Sequence, residues 1–234
     1  MNKRLIPLPV FGVGSHQELR YLKSRVLSRS RSVPHISRKL YHALSGVLCV
    51  WLYAVYLSRE AALSLLLIVG GGLVICDLIR LRHSKANAFV LKVFGRFMRR
   101  EELKQVSGNT YFVLGMVFVV FFFPKPIALM GVLFLAIGDP LAAIVGTLYG
   151  RTQLIGKKSL EGALANFAGS FLAAVILGVA CFHLSSLNAL VLATVGAFAS
   201  VLAELLPLPV DDNFSIPVLS AISLAAFLTF FPIL

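Results

Sequence analysis

Apolar residues in this chain gather into long blocks separated by short polar stretches, with neither the alternation of a half-buried strand nor the stripe of a soluble helix. A membrane-spanning helix needs roughly 20 mostly apolar residues. Blocks at 42–57, 61–79, 110–123, 126–146, 163–182, 188–205 and 215–233 predict seven spans. The first and third are short and borrow flanking residues such as Tyr41 and Asn109. Backbone groups in lipid need hydrogen-bond partners within their own segment, so the spans are read as helices. The expected fold class is therefore all-α, a polytopic membrane helix bundle. Within 77–109 the rhythm changes: Phe89, Val93, Phe97 and Leu103 oppose Lys92, Arg96, Arg99 and Arg100, which predicts an interfacial cytoplasmic helix. No repeat of roughly 20–50 residues and no low-complexity linker divides the chain. It reads as a basic arm, 1–37, followed by one membrane domain, 38–234.

Composition agrees. Of 234 residues 58% are hydrophobic and 14% charged, where a soluble domain carries about 25% charged residues. The formal net charge is +12, and its placement is informative. Residues 1–39 hold nine Lys/Arg, 80–108 hold eight and 146–162 hold three, while the alternate connections hold Arg59 and Lys125. The positive-inside rule makes the basic side cytoplasmic, with the N-terminus inside and the C-terminus opposite. A bacterial cytoplasmic membrane or the endoplasmic reticulum is the expected setting. The stretch HQELRYLKSRVLSRSRS (16–32) reads either as a helix on an anionic surface or as a solvated arm enforcing topology. With seven spans attached the bilayer is the nearer polyanion, so no nucleic-acid partner is expected. No apolar core of signal-peptide length occurs in 1–39. Cys49, Cys76 and Cys181 are far apart within apolar spans and read as small fillers, without disulfides.

Candidate chemistry follows from the ten acidic residues. Glu18 and Glu60 lie in polar segments; Asp77, Glu101, Glu102, Asp139, Glu161, Glu204, Asp211 and Asp212 all fall toward the cytoplasmic side. Asp139 sits inside an apolar block, where an ionisable group is costly and usually faces the bundle interior or a wet cavity. It shares a helical face with Ala142, Ala143, Gly146 and Gly150, which permits close helix approach or leaves room for a ligand. Pro140 removes a helix donor and loosens the carbonyl of Ala136. The alternative is that Asp139 only satisfies a neighbouring helix. The following loop contains GKKS, but the P-loop spacing between strand and helix is missing. Arg151, Lys157 and Lys158 before a helix N-terminus still make a phosphate cradle, or else only fix topology. Glu161 suits a helix dipole as well as a catalytic role. Asn166 and Ser170 read as helix-packing groups. Glu204, at a helix C-terminus, predicts a cationic or metal partner. DDNFS (211–215) reads as a cap or as ligands. His42, beside Arg38 and Lys39, reads as catalytic or interfacial, and without a nearby partner in sequence the interfacial role is expected.

Taken together, GDPLAAIVGTLYGRTQLIGKKSLEGALANF resembles the nucleotide-site motif of the CTP-dependent lipid kinases, which include dolichol kinase, phytol kinase and the CTP-dependent diacylglycerol kinase of fungi. SRKLYHALSG (37–46), DLIRL…FMRREE…GNTYFVLG (77–115) and DDNFSIP (211–217) are similar to further motifs in the same order. The third of these four stretches looks most like the diacylglycerol-kinase branch, and Pro140 departs from the family's small residue. The resemblance covers about 38–220. It implies transfer of the γ-phosphate of CTP to the hydroxyl of a membrane lipid alcohol in the bilayer, with Mg²⁺ as cofactor. Diacylglycerol giving phosphatidate is the first expectation and dolichol or another isoprenoid alcohol the second. Carried over residue by residue, it implies roles for Arg38, Lys39, Gly146, Arg151, Lys157, Lys158, Ser159 and Gly162 at the phosphates. It further implies Asp139, Glu204, Asp212 and Asn213 as metal ligands, and Asp139 or Glu161 as the catalytic carboxylate. The competing readings are a cytidylyltransferase, which breaks a different bond of the same nucleotide, and a membrane transporter.

Overall fold

The computed structural model describes residues 36–94, 98 and 101–233, with side chains from Lys39 onward except that of Glu101. The basic arm, but for the backbone that begins the first helix, lies outside the described residues, as do Arg96, Phe97, Arg99 and Arg100. The chain forms α1 (Ile36–Val55), α2 (Arg59–Arg82), α3 (Ser84–Phe94), a 3₁₀ turn (Glu101–Leu103) and α4 (Gly108–Phe122). There follow α5 (Lys125–Leu133), a π-helical turn (Phe134–Gly138), α6 (Asp139–Tyr149), a hairpin of β1 (Gln153–Ile155) and β2 (Lys158–Ser159), α7 (Leu160–Phe182), α8 (Ser186–Leu205) and α9 (Asp212–Phe230). The protein is thus an all-α membrane bundle carrying one small antiparallel hairpin that the apolar pattern does not announce.

Among the described residues five helices are long and apolar enough to cross a membrane: α2, the continuous α5–π–α6 rod (Lys125–Tyr149), α7, α8 and α9. The apolar helices Lys39–Val55 and Gly108–Phe122 are shorter, and they are the two blocks expected to be short. The rod is the centre of the bundle, 78% buried along its apolar window, whereas α2 is only 17% buried. α1, α4, α7, α8 and α9 all pack on the rod, while α2 leans on α4 and α3. Phe134 fills the middle, its ring lodged where Gly196 of α8 leaves out a side chain. Leu65, Leu67, Ile68 and Ile75 of α2 are exposed. Such a continuous apolar surface is compatible with lipid and not with water. On α3 the same holds for Phe89 and Val93, half or more exposed, with Asn87, Ala88 and Leu91 turned inward.

Helix ends are set locally. Ser58, Ser107, Ser159 and Ser185 accept hydrogen bonds from the first-turn amides of α2, α4, α7 and α8, and Asp211 does so for α9. His183, with φ of 52°, closes α7 in the left-handed conformation and turns the chain directly into α8. The two basic residues of the sparsely charged end serve helix C-termini. Arg59 donates from Nε to the Val120 carbonyl at 3.0 Å, and Lys125 donates to the Leu57 carbonyl at 3.2 Å.

Candidate active site

The π-helical turn ends where the site begins. Pro140 has no amide to give, and the turn Phe134–Gly138 contains Ala136, the carbonyl so released. Asp139 follows at once, buried on the rod. Lys39 of α1 donates to its Oδ2, joining residues 100 apart in sequence. α1 comes this close because Gly46 lies against Ala136. The small face of α6 packs on protein: a side chain at Gly162 would strike the Ala142 carbonyl, and one at Gly146 would press on Ser159. Ser159 Oγ accepts from Gly162 N at 3.1 Å. Gly146, Ser159 and Gly162 therefore form the joint that fixes the hairpin and the start of α7 against α6.

That joint presents Lys158. Its Nζ donates to the Glu204 carbonyl at the end of α8 and lies 3.4 Å from Asp212 Oδ2. The Glu204 carboxylate takes another partner, accepting from Asn166 Nδ2 at 2.6 Å. Asn166 Oδ1 in turn accepts from Ser170 Oγ at 2.9 Å and Ser200 Oγ at 3.1 Å, all three residues fully buried. The cationic partner expected for Glu204 is thus present at its backbone, while an amide holds its side chain. Gly138 faces this polar seam, where any side chain would meet Asn166 and Ser170. Asp139, Lys158 and Lys39 act electrostatically on Glu204, and Lys158, Asp139 and Asp211 on Asp212. Lys39, Asp139, Lys158, Glu204 and Asp212 are therefore one cluster, drawn from α1, α6, β2, α8 and α9.

Other expected residues are placed apart from it. Glu161 accepts from Thr152 N at 3.1 and 3.3 Å and braces the loop. Arg151 and Lys157 are exposed on the hairpin, whose turn uses Gly156 at φ of 60°. Asn213 donates from Nδ2 to the Gly108 carbonyl at 3.1 Å, tying α9 to α4. DDNFS thus divides its work among a cap at Asp211, a lysine partner at Asp212 and a packing amide at Asn213. The side chain of Arg38 lies outside the described residues. His42 is buried, edge-on to Phe112 at 5.3 Å, so α1 turns it onto α4.

A magnesium ion is the expectation to weigh against these donors. Among the described residues no three His, Cys, Asp or Glu side chains cluster tightly enough to cage a metal. Mg²⁺ is commonly held by one or two carboxylates together with substrate phosphates. Asp139, Glu204 and Asp212 are hard oxygen donors on one face, with two lysines beside them.

A second charged group lies at the C-terminal end of α2, where the sequence singled out Asp77 but not its partner. Arg80 donates from Nε to Asp77 Oδ1 at 2.5 Å, and to the carbonyls of Glu102 and Gln105 at 2.7 and 2.6 Å. Asp77 Oδ2 accepts from Thr110 Oγ1 at 2.6 Å and Ser107 N at 2.8 Å. The i,i+3 spacing of Asp77 and Arg80 was the available signal.

Comparison with curated proteins finds long matches. CTP-dependent diacylglycerol kinase 1 of Eremothecium gossypii is 31% identical over 214 residues, covering 83% of this chain and 68% of that protein. The protein of the same name from Saccharomyces cerevisiae is 30% identical over 210 residues, covering 82% and 72%. Phytol kinase 1, chloroplastic, of Arabidopsis thaliana is 30% identical over 210 residues, covering 83% and 66%. No family model and no solved structure matches.

Proposed function

The chain belongs to the CTP-dependent lipid kinases, and from that premise we propose that it transfers the γ-phosphoryl group of CTP to diacylglycerol, giving phosphatidate and CDP. The observation that carries the reading is the meeting of Lys39, Asp139, Lys158, Glu204 and Asp212 from five distant elements. Phosphoryl transfer asks for charge neutralisation and alignment more than for covalent chemistry, and this cluster offers both signs of charge on preset supports.

In the proposed mechanism the lysines exchange partners when the nucleotide arrives. Lys39 leaves Asp139 and Lys158 leaves Asp212 for the triphosphate, so each carboxylate is freed as each phosphate charge is neutralised. The Lys158–Asp212 pair, 30% and 33% exposed, is open enough to do so. Asp139, with Glu204 or Asp212, would hold Mg²⁺, which when bound supplies further neutralisation of the triphosphate. The lipid hydroxyl oxygen attacks the γ-phosphorus as the bond to the β–γ bridging oxygen breaks. CDP leaves, and the hydroxyl proton passes to Asp139. Glu161, committed to the loop amide, acts by holding the hairpin and not by touching the reacting atoms. The exposed Arg151 and Lys157 draw the nucleotide in at longer range.

The protein is an integral membrane protein. The proposed topology puts the N-terminus and the site in the cytoplasm, on the side that carries most Lys and Arg. The match to a phytol kinase keeps an isoprenoid alcohol as the second acceptor. Purified protein given γ-labelled or α-labelled CTP and a panel of lipid alcohols tests all of this. The expected outcome is label on diacylglycerol from γ-labelled CTP alone. Transfer of α-label to lipid would make it a cytidylyltransferase, and label on phytol or dolichol in preference would move the acceptor.

A further inference from the structure

α1 and α2 are consecutive helices, yet two cavities separate them, stacked along one seam. The inner one is a chamber of about 220 Å³ lined by Tyr41, His42, Asp77, Arg80, Ser107 and Asn109 among others. A water's share of the liquid is about 30 Å³, so the chamber has room for a small polar group. The outer one is a crevice walled by Cys49, Tyr53, Leu65, Leu66, Met116 and Val120. Leu73 and Cys76 line the chamber on the side toward the crevice. On α2 the lining positions 62, 65, 66, 73, 76, 77 and 80 recur at helical spacing, and on α1 so do 42, 49 and 53. One face of each helix therefore serves both cavities.

The dimensions and polarity of the seam match one kind of molecule. At about 1.5 Å per residue the distance from His42 to Tyr53 is roughly 17 Å. Half the hydrocarbon thickness of a bilayer is roughly 15 Å. The seam carries polar groups at Asp77, Arg80, Ser107 and Asn109 on a largely apolar chamber wall and is nearly all apolar one leaflet deeper. That is the profile of a lipid alcohol with its hydroxyl end at the headgroups. His42, on the chamber wall, stands one turn of α1 after Lys39, the partner of Asp139. A transported ion or a soluble metabolite would have no use for the apolar half.

We propose that the seam between α1 and α2 is the berth of the lipid acceptor. The glycerol end of diacylglycerol sits in the chamber, one turn of α1 from Lys39, and its acyl chains run along the crevice. This rests on the lipid-kinase reading above. It assigns acceptor recognition to α2, the least buried long span, and leaves the nucleotide to the lysine–carboxylate cluster.

Cys76, on the chamber wall and exposed, provides a native probe, and Cys181, exposed on α7, a control. The full chain in phosphatidylcholine nanodiscs is treated with a benzyl methanethiosulfonate without nucleotide, and modification of each cysteine is followed by mass spectrometry. Diacylglycerol at ten times its dissociation constant is expected to slow modification of Cys76 about tenfold and to leave Cys181 unchanged. Equal protection of both cysteines, or no protection beyond that given by phosphatidylcholine, would overturn the berth by making the occupant ordinary bilayer lipid. A Cys76 that does not react even without diacylglycerol would overturn it too, because the chamber would be closed. Independently, Leu65→Trp in the crevice is expected to raise KM for a long-chain diacylglycerol several-fold while KM for CTP stays put. Protection without phosphorylation of any lipid would sink the kinase reading and keep the berth. Phosphorylation without protection would do the reverse.

Discussion

Around Arg80 each nitrogen that donates ends on a fixed protein acceptor, and the Asp77 carboxylate that faces it takes two further donors from the segment before α4. Around Asp139 two lysine–carboxylate pairs join distant elements, one of them a third exposed. Both groups put carboxylates and cations into a membrane protein at a cost that only partners can offset. The first is closed to exchange: a ligand beside it cannot take over its donors or acceptors without breaking the contacts that hold α2 to the segment before α4. The second is open, because a phosphate and a metal ion together can replace each lysine–carboxylate contact with equivalents. A saturated network fixes structure, and an exchangeable one is where chemistry is carried.

That contrast is easiest to break at the closed group. Arg80→Leu strands Asp77 and is expected to cost about 3–5 kcal/mol of stability, seen as earlier unfolding in micelles, while the KM for CTP of the folded fraction holds. If instead KM for CTP rose with stability unchanged, Arg80 would belong to the nucleotide site and the division would fail. Asp139→Asn should do the opposite, lowering kcat/KM by about a hundredfold or more with an unfolding midpoint close to the parent. Gly138→Ala tests how the polar seam supports the open group. The new methyl meets Asn166 and Ser170, so about 1–3 kcal/mol of overpacking and a lower kcat are expected together. Lys158→Gln should raise KM for CTP roughly tenfold, the worth of one charged hydrogen bond, and flatten its dependence on salt. Arg151→Ala and Lys157→Ala, on exposed side chains, should each change KM for CTP by less than about fivefold. A larger effect would enlarge the open group to include the hairpin tip.

The two groups were unequally legible in the sequence. The apolar blocks named all seven apolar helices because their length and hydrophobicity are local properties. Asp139 stood out for the same reason, as a charge in the wrong neighbourhood. The small-residue face of α6 was read, and packing resolved its two meanings in favour of close approach by α7 and the hairpin. The Lys39–Asp139 contact was not readable as a pair, since it depends on α1 returning to the rod 100 residues earlier in the chain. Ser200 and the use of Asn166 as a hub were equally hidden: small hydroxyls in apolar helices carry no sign of which neighbour they face. The burial of His42 against Phe112 was not readable from its proximity to Arg38 and Lys39, because which neighbour a helix face meets is set by tertiary packing. The hairpin escaped because strands of three and two residues leave no periodicity to detect.

The π-helical turn at Phe134–Gly138 has one more implication. A π turn accommodates one residue beyond an α turn, and each residue of an α-helix advances the bearing by about 100°. The rod therefore carries a surplus residue just ahead of Asp139, and that surplus sets the compass direction of the carboxylate relative to α5. Deleting one residue from 134–138 would leave a rod still long enough to cross the bilayer, but would swing Asp139 away from Lys39. Reach and aim are set independently in this span: reach by how many apolar residues it holds, aim by a single insertion.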